Sequence, residues 1–126
     1  MNHLTGQVAL VTGASKGIGQ SLAIGLAAAG AQIAVNYKTD ADGAEQTCTQ
    51  IREAAGQAQA FCADIGCKSS FEAMIDDVAA HFGRLDVLVN NAARTRFGPV
   101  EEVTEADFDD VVDTILRGPF FGSIAA

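Results

Sequence analysis

A glycine-rich segment near the N-terminus has a spacing that suits phosphate binding. Gly13, Gly17 and Gly19 follow a short apolar run and lead into a segment with helical periodicity. Glycine allows a tight turn and a close approach of backbone N–H groups to an anion, and a following helix directs its positive N-terminus to the same point. The segment matches neither GxxxxGK[ST] nor strictly GxGxxG. Its spacing alone therefore predicts a phosphate-binding turn of unspecified class.

The elements that must position this turn alternate between strands and helices. Short apolar runs predict strands over residues 7–12, 33–36, 58–62 and 85–90. In the first predicted helix, Ile18, Leu22 and Leu26 recur every fourth residue and indicate one apolar face that ends before Gly30. A more polar helix is expected over residues 40–55.

Two later helices carry N-terminal capping patterns. Ser69-x-x-Glu72 matches a capping box, Thr104-x-x-Asp107 opens a further helix, and apolar residues recur with helical spacing after both. The first of these helices is expected to end at Gly83.

Strictly alternating strands and helices predict an α/β fold. We expect one domain over residues 1–126, a Rossmann-like, doubly wound parallel sheet with strand order 3-2-1-4 and right-handed crossovers. Ligands bind such sheets where the strand order reverses, at the carboxyl ends of the strands. The segment from Asn90 to Ala93 follows strand four, so it should lie beside the glycine-rich turn.

The composition argues against several classes of function. The chain has 126 residues, of which 48% are hydrophobic, and a formal net charge of −8. Without a basic patch, nucleic acid is not an expected partner. No apolar run reaches the roughly 18 residues of a membrane span, and the N-terminus lacks a signal-peptide pattern, so we expect a cytoplasmic protein.

The three cysteines, Cys48, Cys62 and Cys67, are expected to be free and partly buried thiols. Their odd number argues against a disulfide framework, and their spacing argues against a zinc site. We therefore expect no metal site.

Two motifs together resemble those of the classical short-chain dehydrogenase/reductase family. Thr12-Gly-Ala-Ser-Lys-Gly-Ile-Gly19 is similar to the family's TGxxxGIG motif, and Asn90-Asn-Ala92 is similar to NNAG. Ala63-Asp64-Ile65 after strand three also matches. The resemblance covers the whole chain but only about the first half of a typical member. It implies an NAD(P)-binding Rossmann domain that is incomplete at its C-terminal side.

The resemblance also implies a role for individual residues in binding a dinucleotide. Asp64 and Ile65 would flank the adenine, while Asn91 and Ala92 would lie along the nicotinamide-side ribose. Asn90 would tie the central sheet together. The pyrophosphate and its ribose would be lined by Gly13, Ser15, Lys16, Gly17, Ile18 and Gly19.

The residues after strand two favour NADP(H) as the dinucleotide. An acidic residue there would accept the ribose 2′-OH of NAD, whereas basic residues suit a 2′-phosphate. The family's acidic position falls on Tyr37, Lys38 follows it, and Lys16 lies in the glycine-rich turn. The alternative is that Asp40 or Asp42 binds NAD(H) and both lysines are solvated.

The resemblance implies hydride transfer between a carbonyl and an alcohol, but this chain lacks the residues that assist it. The family uses a Tyr-x-x-x-Lys pair, and four residues after Tyr37 stands Ala41. Ile115 occupies the family's Asn position, and Ala93 replaces the Gly of NNAG. We therefore assign no catalytic residue and expect no turnover by this chain alone.

Two other functions stay open. A non-catalytic module could bind a dinucleotide or a protein partner. A serine hydrolase could use Ser15, because Gly13-x-Ser15-x-Gly17 matches GxSxG, with Asp64 and His81 completing a triad.

Strand four is expected at an edge of the sheet, where an apolar strand invites pairing. We therefore expect a homo-oligomer or a partner that completes the sheet.

Overall fold

The computed structural model describes residues 2–126 and contains four strands and five α-helices. A 3₁₀ turn at Val100–Glu102 precedes the fourth helix, and a π-helical turn at Asp113–Arg117 joins the fourth helix to the fifth. The elements are β1 Val8–Val11, α1 Gly17–Ala28, β2 Gln32–Tyr37, α2 Ala41–Glu53, β3 Ala58–Cys62, α3 Lys68–Phe82, β4 Val87–Val89, α4 Glu105–Val112 and α5 Gly118–Ala125.

The strands form one parallel sheet in the order β3-β2-β1-β4. This confirms the predicted Rossmann-like order 3-2-1-4. In the register, Val11 of β1 lies opposite Val35 of β2 and Val89 of β4. The carboxyl ends of the strands therefore meet along one edge.

Apolar residues cover both faces of the sheet. On one face, Val11 and Val35 pack with Ala23 of α1 and Ile51 of α2. On the other face, Leu10 packs with a stripe of α3. Since successive strand side chains point to opposite faces, the continuous apolar run of β1 is buried throughout.

The prediction of which face of α1 is buried is wrong. Ile18 is 73% exposed and Leu22 is 40% exposed, and only Leu26 of the three packs against the core. The buried residues of α1 are Gly19 and Ala23. A Cβ at Gly19 would overlap the Gly13 carbonyl oxygen, so no larger residue fits where α1 meets the glycine-rich turn.

One of the two predicted helix caps is also wrong. Helix α3 begins at Lys68 after Cys67, whose carbonyl accepts the Phe71 N–H, so Ser69 lies inside the helix instead of capping it. By contrast, α4 begins after Thr104 as predicted, and Thr104 forms a reciprocal capping box with Asp107.

Strand β4 is a short edge strand of the described sheet. Asp86 clamps it to β1, because its carboxylate accepts the Val8 N–H at 2.8 Å and pairs with Arg84 at 2.7 Å. None of the helices in residues 2–126 has the length and apolar character needed to cross a bilayer.

Candidate functional site

A cleft of about 450 Å³ lies at the carboxyl edge of the sheet. All four strands supply residues to it from the segments that follow them, and the π-helical turn closes one wall. It is lined by Gly13, Ser15, Lys16, Asn36, Tyr37, Lys38, Thr39, Asp40, Ala63, Asp64, Ile65, Asn91, Ala92, Ala93, Arg94 and Thr114.

The cleft brings together most of the site residues predicted from the sequence. From β1 and β4 come Gly13, Ser15, Lys16, Asn91 and Ala92; from β2 and β3 come Tyr37, Lys38, Asp64 and Ile65. The other three, Gly17, Ile18 and Gly19, form the first turn of α1 beside the cleft and do not line it.

Two glycines are required by the way the turn folds. Gly13 has φ +62°, and a Cβ there would lie 2.9 Å from Ala92 Cα. A Cβ at Gly19 would overlap the Gly13 carbonyl oxygen and lie 2.5 Å from Asn91 Nδ2. The turn, α1 and the segment after β4 therefore pack in direct contact, which holds the glycine-rich turn at the edge of the cleft.

The assignment of the sheet-linking role to Asn90 is wrong, because Asn91 has that role. Asn91 Nδ2 donates to the carbonyl oxygens of Thr12 and Gly13, both at 3.1 Å. The Thr12 hydroxyl oxygen in turn accepts the N–H groups of Asn91 and Ala92, both at 3.0 Å. Asn90 instead points to α5 and donates to Ser123 Oγ at 3.1 Å.

Asn36 is a structural residue of the site that the sequence analysis missed. The residue is 2% exposed, and its side chain accepts the Gly13 N–H at 3.1 Å and donates to Ala63 O at 3.2 Å. It thereby joins the segments after β1 and β3. The signal was an amide at the end of an otherwise apolar run, where a buried polar group must find partners.

Three cationic side chains line the cleft. Lys38 Nζ lies 3.5 Å from Asp64 Oδ2, while Asp64 Oδ1 accepts the Gly66 N–H at 2.9 Å. Lys16 is exposed. Arg94, also missed from the sequence, donates from Nε to Asp110 of α4 at 2.8 Å, which raises its pKa.

The residues around Tyr37 bear on cofactor choice. Burial and the adjacent Cys62 raise the pKa of the Tyr37 hydroxyl, so it is a neutral phenol at pH 7. Asp40 lines the cleft, but its carboxylate caps α2 by accepting the Gly43 N–H at 3.0 Å. Asp42 is exposed on the first turn of α2 and does not line the cleft.

The residues suggested for a serine hydrolase do not assemble. The Asp64 carboxylate is engaged by Gly66 and Lys38, and His81 packs edge-on against the rings of Phe61 and Phe82. Within residues 2–126 no hydrogen bond joins Ser15, Asp64 and His81, so the triad arrangement is not present.

All three cysteines are free thiols, as predicted. Cys48 is buried, whereas Cys62 and Cys67 are exposed, so the expectation of partial burial is wrong for these two. No group of three His, Cys, Asp or Glu side chains in the described chain is arranged to hold a metal ion.

The fold and the position of the cleft together define an α/β domain of the Rossmann type. Comparison with known proteins gives the family: the model of the short chain dehydrogenase family matches residues 7–126. The chain belongs to the short-chain dehydrogenase/reductase family.

Similar proteins are reductases and dehydrogenases. A probable tetrahydroxynaphthalene reductase of Zymoseptoria tritici is 41% identical over 120 residues, which cover 95% of this chain and 45% of that protein. A short chain dehydrogenase of Burkholderia cenocepacia in complex with NADP is 38% identical, with a TM-score of 0.96 over 99% of this chain and 51% of that one.

A blue fluorescent protein from a metagenomic library, in complex with NADPH, is 34% identical, with a TM-score of 0.93 over 100% of this chain and 51% of that one. The chain thus spans about half the length of these relatives.

Proposed function

We propose that the cleft binds a nicotinamide dinucleotide and that this chain is the cofactor-binding part of a short-chain oxidoreductase. The observation that carries the proposal is the cleft of about 450 Å³ at the carboxyl edge of the sheet, which the glycine-rich turn lines with Gly13, Ser15 and Lys16. Solved relatives of the same fold are complexes with NADP and NADPH. A bound nicotinamide dinucleotide supplies the hydride.

Each proposed contact is the one that the family resemblance implies for that residue, and most of these residues line the cleft. The glycine-rich turn and the N-terminus of α1 hold the pyrophosphate with backbone N–H groups. Asp64 and Ile65 flank the adenine, and Asn91 and Ala92 support the nicotinamide-side ribose. The proposed pyrophosphate and ribose residues are Gly13, Ser15, Lys16, Gly17, Ile18 and Gly19.

We propose NADP(H) as the preferred cofactor over NAD(H). Lys38 and Lys16 both line the cleft, and two ammonium groups favour a 2′-phosphate. The neutral Tyr37 provides no carboxylate for the 2′-OH of NAD. Asp40 lines the cleft but is engaged in capping α2, so it is a weaker candidate for that role.

Calorimetric titration with NADPH and NADH tests this preference. We expect Lys38→Gln to weaken NADPH binding by about ten- to hundredfold, since a hydrogen bond to a charged group is worth roughly 1.5–3 kcal/mol, and to leave NADH binding within about twofold. Lys68→Gln is the matched control, because Lys68 lies outside the cleft, beside Glu72 and the Phe121 ring. Equal losses for both dinucleotides would refute the role of Lys38.

The reaction we propose for the complete oxidoreductase is hydride transfer between a carbonyl and an alcohol. This chain supplies the cofactor cleft but has one tyrosine, Tyr37, which no Lys follows at the required spacing. Ile115 has no group that could hold a proton or a water. We therefore expect no reduction of a ketone panel by the chain alone, and sustained NADPH consumption with those ketones would contradict this.

A non-catalytic module is the second candidate, and Ile115 favours it. This residue stands at the family's Asn position, is 47% exposed and carries no hydrogen-bonding side chain. Replacing Ile115 by Asn and supplying the remaining fold from a relative distinguishes the candidates. If only the completed Ile115→Asn variant is active, the result supports a non-catalytic module. If the completed protein with Ile115 is active, the result supports the oxidoreductase.

We further propose that the chain self-associates or pairs with a partner that completes the sheet. Strand β4 is an edge, and large apolar side chains are exposed on α1 and α5, namely Ile18, Leu22, Phe120 and Ile124. Apolar patches of this kind mark interaction surfaces. Light scattering after size exclusion should give a mass above the 13.0 kDa of one chain; a monomer at all concentrations would contradict the proposal.

A further inference from the structure

One polar side chain in the wall of the cleft has no partner in the fold. Thr114 is 7% exposed and lines the cleft from the π-helical turn. Thr47, which is also buried, accepts from Gln20 Nε2 and donates to Ala14 O, whereas the Thr114 hydroxyl makes no hydrogen bond within residues 2–126. No described side-chain oxygen or nitrogen is both fully buried and unpartnered, so this hydroxyl is accessible from the cleft.

The π-helical turn places Thr114 at the same end of the cleft as the segment after β3. A Cβ on Gly66 would lie 3.2 Å from Asp113 Cβ, and a Cβ on Gly118 would overlap the Ile65 carbonyl oxygen. The turn therefore lies directly against residues 65–66. Ile115, the next residue, is half exposed and does not line the cleft.

The three side chains at this end have complementary chemistry. Asp64 offers a carboxylate acceptor, Ile65 is 5% exposed and offers an apolar surface, and Thr114 offers a hydroxyl that can donate. The edge of an aminopurine presents an amine donor beside a ring-nitrogen acceptor. A carboxylate and a hydroxyl on one wall match that pair of groups.

We propose that Thr114 is a specificity residue that donates a hydrogen bond to N1 of the cofactor's adenine, the ring nitrogen beside the amine whose N–H Asp64 accepts. The proposal rests on the proposed dinucleotide function and adds to it a residue selective for the purine base. Lys38, which pairs with Asp64 at 3.5 Å, would turn to the 2′-phosphate and release the carboxylate for the amine.

Calorimetric titrations with NADP⁺ and with 1,N6-etheno-NADP⁺ test the proposal, because the etheno bridge blocks the ring nitrogen and the amine. We expect Thr114→Val, which keeps the shape and removes the hydroxyl, to weaken NADP⁺ binding by about three- to tenfold. It should leave etheno-NADP⁺ binding unchanged. Thr114→Ser, which keeps the hydroxyl, should retain the wild-type discrimination between the two ligands.

The outcomes separate this inference from the proposed function. The role of Thr114 would be overturned if the wild type binds NADP⁺ and Thr114→Val does not change that affinity. It would also be overturned if Thr114→Val weakens NADP⁺ and etheno-NADP⁺ binding equally. In both cases the proposed dinucleotide function would still stand. Absence of NADP⁺ binding by a folded wild-type chain would overturn both. Thermal melts establish that each variant is folded, and Thr114→Ala replaces Thr114→Val if the latter does not melt cooperatively.

Discussion

At the scale of single residues, Asn36 is the side chain that holds two segments of the site together. Its amide joins the segments after β1 and β3 from a nearly fully buried position. We expect Asn36→Ala to lower the free energy of unfolding by about 2–3 kcal/mol, because it leaves the Gly13 N–H and the Ala63 carbonyl without their partner. Urea denaturation measures the change.

The same substitution at an exposed amide is the control. Asn90 makes a single side-chain hydrogen bond, to Ser123, and is exposed. Asn90→Ala should therefore cost at most about 1 kcal/mol. Equal losses at the two positions would contradict the role given to Asn36.

Cys67 differs from the other thiols in its chemistry. Hydrogen bonds from the Ser69 and Ser70 side chains lower the pKa of the exposed Cys67 thiol to about 7, whereas burial raises the pKa of Cys48. The thiolate is the nucleophile, so the alkylation rate of Cys67 should rise with a midpoint near pH 7 while Cys48 stays slow. Peptide mass spectrometry after iodoacetamide treatment measures each rate.

Removing the first of these hydroxyls tests the cause. In Ser69→Ala the midpoint for Cys67 should move to higher pH. A wild-type midpoint near the ordinary thiol value of about 8.5 would contradict the assignment.

The sequence predicted the residues of the cleft wherever a short motif carried them. It missed Asn36 and Arg94 because their partners lie far along the chain or in another element: Asn36 bonds to Ala63 and Arg94 to Asp110. It confused Asn90 with Asn91, because neighbouring residues at a strand end face opposite ways and spacing alone does not fix which faces β1.

At the scale of elements, the contact between α5 and the segment after β3 depends on a small residue. A Cβ at Gly118 would overlap Ile65 O and lie 2.9 Å from Ile65 Cδ1, whereas Gly25 of α1 has open space around it. We expect Gly118→Ala to lower the free energy of unfolding by about 1–3 kcal/mol and Gly25→Ala to raise it by about 0.5–1 kcal/mol. Similar effects at both glycines in urea denaturation would refute this packing.

The link between β1 and β4 should respond to pH. The Arg84 guanidinium and the Val8 N–H hold the pKa of Asp86 below its ordinary value. A depressed folded pKa stabilises the native state above the unfolded value of about 3.9, and that contribution is lost as pH falls through the folded value. Asp86→Asn should therefore lower the melting temperature at pH 7, and its difference from wild type should shrink towards pH 3.

Asp109→Asn is the control for this measurement. Asp109 lies exposed on α4, and its side chain makes no hydrogen bond within residues 2–126. A melting-temperature difference for Asp86→Asn that stays constant from pH 7 to pH 3 would contradict the clamp.

The order and type of the main elements could be predicted from apolar periodicity and glycine positions, and the start of α4 after Thr104 was predicted correctly. The buried face of α1 could not be predicted in this way, because the small residues Gly19 and Ala23 are buried in the fold whereas the larger Ile18 and Leu22 are exposed. The π-helical turn has no local sequence signal. It accompanies a tertiary contact, that of Gly118 with the Ile65 carbonyl.

At the scale of the whole molecule, the central claim is that these four strands assemble a working NADP(H) cleft. The described chain contains a parallel sheet with both faces covered and a cleft of about 450 Å³ at its carboxyl edge. It spans about half the length of its relatives. Whether this much of the fold binds the cofactor is therefore the question on which the other proposals depend.

Thermal melts of protein of confirmed intact mass, with NADPH, with NADH and without ligand, test this claim most directly. A ligand at 100 times its Kd adds about 2.7 kcal/mol of stability, which corresponds to on the order of 10 °C for a domain of this size. We predict a clear rise with NADPH and a smaller one with NADH. A cooperative melt that neither dinucleotide shifts, or a larger rise with NADH, would contradict the account.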